Sequence, residues 1–334
     1  MDVTERQMNT ARCDTTGKSL EQPMFSFVVP VFRPVRRHLR ACLDSLLGQT
    51  YTRFEVCVAS DGPQQVKVAR LIAEYVSRYE GVIKVDELPE RGGISCATNQ
   101  AASMAVGDWL VFVDQDDLVE PCLLEAMAEC ADGHDALYTD EDKMLGPFRV
   151  GTFVKPGPSL HNIMACNYFA HCRAIRRRIF EEMGGCDSEF DGSQDYEMFL
   201  RLVKDGNRIG FVPQVLYHWR MGLKSAALIP WAKKEAYLRA RKALLRYFPE
   251  RVFSLATRKI GPLSVPQYGF YVWQRGDRGE IRYLAACREG VYEVRWKNGV
   301  VLSYSCVSRE ERREDGEFVL VAPVFGMDEL VRSG

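Results

Sequence analysis

The chain has 334 residues, 46% of them hydrophobic, with 44 basic against 45 acidic side chains and a formal net charge of −1. That length holds one large domain with a buried core and a smaller one beside it, and the balanced charge excludes a protein that grips nucleic acid through bulk positive field. No apolar run approaches the roughly 20 residues of a membrane helix, the N-terminus lacks a signal peptide's apolar core, and the 11 cysteines contain no C-x-x-C pair, so a soluble cytoplasmic protein with reduced thiols is expected.

In chain order, residues 1–22 are polar and aperiodic and read as a tail. Phe25–Val31 is a short apolar run of buried-strand character, and Leu39, Cys42, Leu43, Leu46 and Leu47 follow at helical spacing. A second strand, Phe54–Ala59, ends at the turn Ser60-Asp61-Gly62-Pro63. Val68 to Tyr79 mark a helix, Val82–Asp86 a strand, the residues from Gly92-Gly93 to Val106 a helix of small side chains, and Trp109–Val113 a fourth strand. Such β-α-β-α alternation predicts a Rossmann-like, mostly parallel sheet with flanking helices. Its ligands gather beyond the carboxyl ends of the strands, where both Asp61 and Asp114 fall. Residues 135–225 are less regular. A basic amphipathic helix is expected over 231–248, its charges most simply a solvated face. After 255 short β-prone runs and the turn Lys297-Asn298-Gly299 predict a small antiparallel β-rich module. The expected division is a tail (1–22), a main domain (23–230), a helical connector (231–254) and the β-rich module (255–334).

The sharpest chemical feature is Asp114-Gln115-Asp116-Asp117, placed directly after a buried strand. Carboxylates this close repel one another, and a divalent cation relieves the repulsion. Hard oxygen ligands suit Mn²⁺ or Mg²⁺, which also bridge to phosphate oxygens. An acidic strand-end turn capping the next helix is the plain alternative.

The surroundings of that turn resemble family 2 glycosyltransferases of the GT-A type. Arg91-Gly92-Gly93-Ile94-Ser95-Cys96-Ala97-Thr98-Asn99 is similar to their G-I-S-x-A-x-N helix, and Gly107-Asp108 to their G-D turn. Pro30-Val31-Phe32 and Ser60-Asp61-Gly62 match the same family. Tyr138-Thr139-Asp140-Glu141-Asp142-Lys143, Gly192-Ser193-Gln194-Asp195-Tyr196-Glu197 and Leu216-Tyr217-His218-Trp219-Arg220 resemble a bacterial, rhamnosyltransferase-like branch. Together these segments cover roughly residues 25–222.

The resemblance implies an inverting, metal-dependent transfer of a sugar from a nucleoside diphosphate, UDP- or dTDP-linked, to an acceptor hydroxyl. The acceptor it favours is a glycan or lipid-linked saccharide, with protein or modified nucleic acid still open. It puts Pro30, Phe32, Asp61, Gly93, Asp114 and Asp116 around the nucleotide sugar. Asp61 would lie by the base, Asp114 by the ribose, and Asp116 and His218 on the metal. Asp195 would be the general base. Asp142, Trp219 and Arg220 would face the acceptor or diphosphate. Each has a plainer reading: Asp61 as a turn former, the glycines as helix-to-sheet packing, Asp195 as a helix cap, His218 as a packed histidine. Gln194 stands where many relatives carry Glu. The rival functions are a nucleotidyltransferase, disfavoured because Pro30–Pro34 lacks a glycine-rich loop, and a non-catalytic sugar-nucleotide-binding protein. The β-rich end suggests acceptor choice or self-association, with Tyr268, Tyr271, Trp273 and Trp296 either a sugar-stacking surface or sheet core.

Overall fold

A computed structural model describes residues 22–155, 157–158, 163–164, 166–221 and 234–249, and beyond them the backbone of five strands with the side chain of Phe253. Residues 1–21, Trp296 and the tip of the Lys297–Gly299 turn lie outside the described residues, as do the side chains of Tyr268, Tyr271 and Trp273.

The first half alternates as its pattern predicts: β1 Phe25–Val31, α1 Arg36–Leu47, β2 Phe54–Ser60, α2 Val66–Arg78, β3 Ile83–Glu87, α3 Ile94–Ser103 and β4 Trp109–Phe112. The strands pair in the order β3-β2-β1-β4, all parallel. β1 is apolar along both faces because helices cover both. Leu39, Cys42, Leu43 and Leu46 of α1 and Val68, Leu71, Ile72 and Tyr75 of α2 bury one stripe each. On the other face α3 lies close to the sheet through Ala97, Ala101 and Ala102. The order reverses at β1, between β2 and β4, so the crevice beyond the strand ends opens there.

The less regular stretch is a continuation of the same sheet. β5 Leu118–Val119, α4 Leu123–Cys130, β6 Ala136–Leu145, β7 Phe148–Phe153, β8 Arg173–Arg176, α5 Arg177–Glu182, α6 Gln194–Lys204 and β9 Ile209–Arg220 follow. β8 runs antiparallel to β4 and β6, β9 runs parallel to β6, and β5 closes on β9. The acidic segment 138–143 lies in a buried strand. Asp140, Glu141 and Asp142 are each at most 6% exposed. Lys155, His171 and His218, distant in sequence, supply their partners.

The basic helix is α7, Lys234–Tyr247. It is packed on the main core, with Ala240, Ala243 and Leu244 buried beside Phe199 and Phe253. β10 Arg251–Ile260 pairs antiparallel with β11 Leu263–Arg275. β12 Ala285–Ala286, β13 Val291–Arg295 and β14 Val301–Ser305 form a separate antiparallel set, with β13 and β14 flanking the expected turn. All eight described cysteines are free thiols. Among the described residues no helix is long and apolar enough to cross a membrane.

Candidate active site

The acidic turn after β4 is fastened on two sides. Gln115 clamps the end of β1: its Oε1 accepts from Phe32 N at 2.9 Å and its Nε2 donates to Phe32 O at 3.0 Å. From β9, the Tyr217 hydroxyl accepts from Asp114 N at 3.2 Å and donates to Asp117 Oδ2 at 2.7 Å. Arg220 adds its amide, 2.7 Å from Asp117 Oδ1, and its Nε, 2.6 Å from Asp116 O. Asp117 is thus a buried anchor, while the Asp114 and Asp116 carboxylates accept none of these hydrogen bonds. Burial, with the Asp114 carboxylate next in weight, pushes the Asp116 carboxyl above its usual range. The pair is a like-charge site short of a cation.

Asp61 sits at the end of β2, 5% exposed. Its Oδ1 accepts from Gly92 N at 2.7 Å and Gly93 N at 3.0 Å, and Oδ2 lies 3.9 Å from Arg91 Nε. Arg91 also stacks over the Phe32 ring at 4.5 Å. The N-terminus of α3 is occupied from a second direction, because Asp191 Oδ1 accepts from Ser95 N at 3.1 Å. Gly93 has φ +95°, and a Cβ there would lie 2.1 Å from Asp191 Oδ2, so only glycine fits. The N-terminal end of α3 thus meets two carboxylates of the chain itself.

Asp195 is carried on the first turn of α6, where the helix dipole favours an anion. Its Oδ2 accepts from Arg173 Nη1 and Asn167 Nδ2, both at 2.9 Å, and its Oδ1 from Tyr196 N at 2.8 Å. Burial raises this carboxyl, but Arg173, then His171 and the two hydrogen bonds outweigh it, and the pKa ends below the usual value. One cavity is lined by Pro30, Asp114, Arg173, Gln194 and Asp195, with Ile94, Thr98 and Met198 among its further walls. The structure therefore brings the end of β1, the D-x-D turn and the Asp195 turn to one place.

His218 departs from the expectation. It is 1% exposed, with Nδ1 2.7 Å from Asp142 Oδ1 and Nε2 3.1 Å from Glu120 Oε1. Both ring nitrogens face carboxylates, so this imidazole is not presented to Asp116, and Asp142 Oδ1 is engaged by it. Trp219 packs tilted against His171, with ring centroids 5.7 Å apart and planes at 32°. His171 is the imidazole that reaches the turn, with Nε2 3.7 Å from Asp114 Oδ2. It lies flat on Tyr217, centroids 5.2 Å apart, and its amide donates to Glu141. Burial lowers its pKa, yet Glu141 and Asp114 raise it above the ordinary value. Sequence reasoning passed over His171, Arg173 and Asn167. The signal available was three polar side chains, Asn167, His171 and Arg173, set among the apolar residues Tyr168, Phe169, Ala170 and Cys172.

No cluster of three His, Cys, Asp or Glu side chains spaced to hold a metal occurs among the described residues. Asp114 and Asp116 nonetheless suit a cation whose remaining ligands come from a phosphate-bearing substrate.

Residues 26–141 match the family described as glycosyl transferase family 2. The uncharacterized protein y4gI of Sinorhizobium fredii is 30% identical over 78% of this chain and 29% of its own length. The O-antigen biosynthesis protein RfbC of Myxococcus xanthus is 31% identical over 65% of this chain and 17% of its own length. The chain thus spans less than a third of either relative. Among solved structures, S. aureus TarS with UDP-GlcNAc has a TM-score of 0.52 at 20% identity, covering 68% of this chain and 73% of that one. The mannosyltransferase PcManGT of Pyrobaculum calidifontis, solved with GDP-Man and Mn²⁺, has a TM-score of 0.52 at 18% identity, covering 69% and 64%. The fold is that of these GT-A neighbours, and the family 2 glycosyltransferase match lies within it, over residues 26–141.

Proposed function

We propose that this chain is an inverting, divalent-cation-dependent glycosyltransferase that moves a sugar from a nucleoside diphosphate to a hydroxyl of a growing glycan. One observation carries the reading: Asp114, just after β4, and Asp195, on the first turn of α6, line a single cavity with Pro30 and Gln194. The nucleotide sugars held by TarS and PcManGT support a nucleoside diphosphate donor, and the Mn²⁺ of PcManGT supports a cation. The kinship with RfbC supports a surface-glycan acceptor. UDP- and dTDP-sugars are the donors we favour, dTDP-rhamnose among them.

In this reading Asp61, Phe32 and Pro30 frame the nucleoside, and Asp114 meets the ribose. Asp116 holds Mn²⁺ or Mg²⁺, which when bound neutralises charge developing on the departing diphosphate. Asp195, kept ionised by its neighbours, accepts the proton of the acceptor hydroxyl as that oxygen attacks the anomeric carbon. A single displacement inverts the anomeric configuration. The free thiols accord with action in the cytoplasm. The β-rich module, 255–334, acts on acceptor choice or self-association.

The test is turnover with a panel of UDP-glucose, UDP-GlcNAc and dTDP-rhamnose, with Mn²⁺ and with chelator. Release of nucleoside diphosphate from one donor, lost in chelator, is expected. Equal turnover in excess chelator overturns the cation, and binding without turnover across a broad donor and acceptor panel overturns the enzyme.

A further inference from the structure

The side chains that hold Asp195 have capacity left over. Arg173 opens β8, opposite Phe112 of β4, and so stands between Asp114 and Asp195. It is 7% exposed and lines the cavity. Its Nη1 is spent on Asp195, but its Nε is buried and has no hydrogen-bond partner among the described residues. Asn167 repeats the arrangement with the opposite polarity: Nδ2 is spent on Asp195, and Oδ1 is buried without a partner among the described residues. Leaving a buried donor or acceptor unpaired costs about 1–3 kcal/mol. One of each, on the two side chains that grip the same carboxylate, is the pattern of a site waiting for a group that both accepts and donates. A sugar hydroxyl does both.

The chemistry fixes which part of the donor is met. In an inverting displacement the base and the leaving group stand on opposite faces of the anomeric carbon. A side chain bonded to the base therefore lies toward the face of the anomeric carbon opposite the diphosphate, beside the transferred sugar and the acceptor. We propose that Arg173 and Asn167 form a sugar-reading pair, in which Arg173 Nε donates to, and Asn167 Oδ1 accepts from, hydroxyls of the transferred sugar while the same side chains hold Asp195. The inference rests on Asp195 as the general base. It makes Arg173 and Asn167 positioning residues for that base, and it couples base geometry to a correctly seated sugar.

Arg173→Lys keeps a cation beside Asp195 and removes the Nε–H. Asn167→Ala removes the acceptor. Affinity is measured by calorimetry for the panel's best nucleotide sugar and for its bare nucleoside diphosphate. Each variant is expected to bind the nucleotide sugar about tenfold more weakly, the loss of roughly one hydrogen bond, and the bare diphosphate as the native protein does. Native affinity for the sugar nucleotide, or equal loss for both ligands, overturns the pair.

The pH profile gives a second readout. Asp195 is faced by Arg173 and His171 as cations, by the Asn167 and Tyr196 N–H groups, and by the buried Cys186 thiol. Arg173→Gln is expected to move the acid limb of kcat upward, whereas Arg173→Lys is expected to leave it near the native position; an unmoved limb in the Gln variant counts against the positioning role. If the Gln variant does not fold, the Lys and Ala binding data decide. Asp195→Asn separates the two ideas. Normal turnover there removes the base while the binding losses stand. A dead Asn variant together with native binding by Arg173→Lys and Asn167→Ala removes only the pair.

Discussion

Two carboxylate groups share this cleft, and their surroundings push them in opposite directions. Around Asp114, Asp116 and Asp117, burial and mutual repulsion raise the Asp116 and Asp117 carboxyls. Around Asp195, Arg173 and His171 outweigh burial and lower it. The first group is short of positive charge and the second is supplied with it. Identical functional groups therefore receive different work from their neighbours: one set calls for a cation from solution, and the other is ionised and oriented with what the chain provides.

The largest expected effect tests the second group. Asp195→Asn keeps the shape and the Asn167 contact but cannot take a proton. Turnover is expected to fall about 10²–10⁴-fold with nucleotide-sugar affinity near native, as stopped assays and calorimetry would read. The native product, examined by NMR, is expected to carry the anomeric configuration opposite to the donor. Retention of configuration, or near-native turnover in the Asn variant, breaks the assignment.

Next in size is the ion pair that joins the two groups. Lys155 Nζ lies 3.1 Å from Glu141 Oε2 with both side chains buried, and it also donates to His171 O. Burial opposes ionisation of Glu141, but Lys155 and then His171 bring its pKa down to about 2. Because the folded pKa lies below the unfolded value of 4.5, this carboxylate stabilises the protein fully above pH about 4.5, and the contribution is lost as pH falls toward about 2. Lys155→Met strands the charge. A loss of about 3–5 kcal/mol in unfolding free energy is expected, with less of it at acid pH, where Glu141 is protonated. A variant as stable as the native chain in urea at pH 7 contradicts the buried pair.

How much of this was legible beforehand follows the same division. The β1–β4 half was readable because a parallel sheet covered on both faces writes continuous apolar runs such as Phe25–Val31. The D-x-D turn was readable because its charges lie adjacent in sequence. Gly107 was readable as part of a motif, and the structure supplies the reason: a Cβ there would lie 2.6 Å from Ser26 Oγ. The far half hid itself. β6 carries three acids along a buried strand, a pattern that reads as solvent-facing until Lys155, His171 and His218 arrive from elsewhere. Arg173 and Asn167 gain meaning only from folding, which sets them on Asp195 across more than 20 residues of sequence.

The first group is tested by Asp116→Asn. Removing one oxygen charge from a site that needs a cation is expected to lower Mn²⁺-dependent turnover about 10²–10³-fold, the scale of losing one electrostatic stabiliser. The concentration of Mn²⁺ needed for half-maximal binding of the nucleoside diphosphate should rise with it. Native Mn²⁺ dependence in this variant moves the cation elsewhere.

The smallest effect concerns His218, which separates a metal ligand from a packed histidine. Its ring lies between Asp142 Oδ1 at 2.7 Å and Glu120 Oε1 at 3.1 Å and is almost wholly buried. A group held on both nitrogens in this way fastens β9 to β6 through Asp142 and is turned to the carboxylates of Asp142 and Glu120, not to Asp116. His218→Gln replaces a two-ended contact with a shorter side chain that reaches one carboxylate at best. The expected outcome is a loss of about 1–3 kcal/mol in unfolding free energy, the cost of leaving a buried polar group unpaired. Mn²⁺ titrations in the presence of the nucleoside diphosphate should match those of the native chain. A tenfold weaker Mn²⁺ response at unchanged stability would restore His218 as a ligand, and it would require the ring to leave Asp142 when the donor binds.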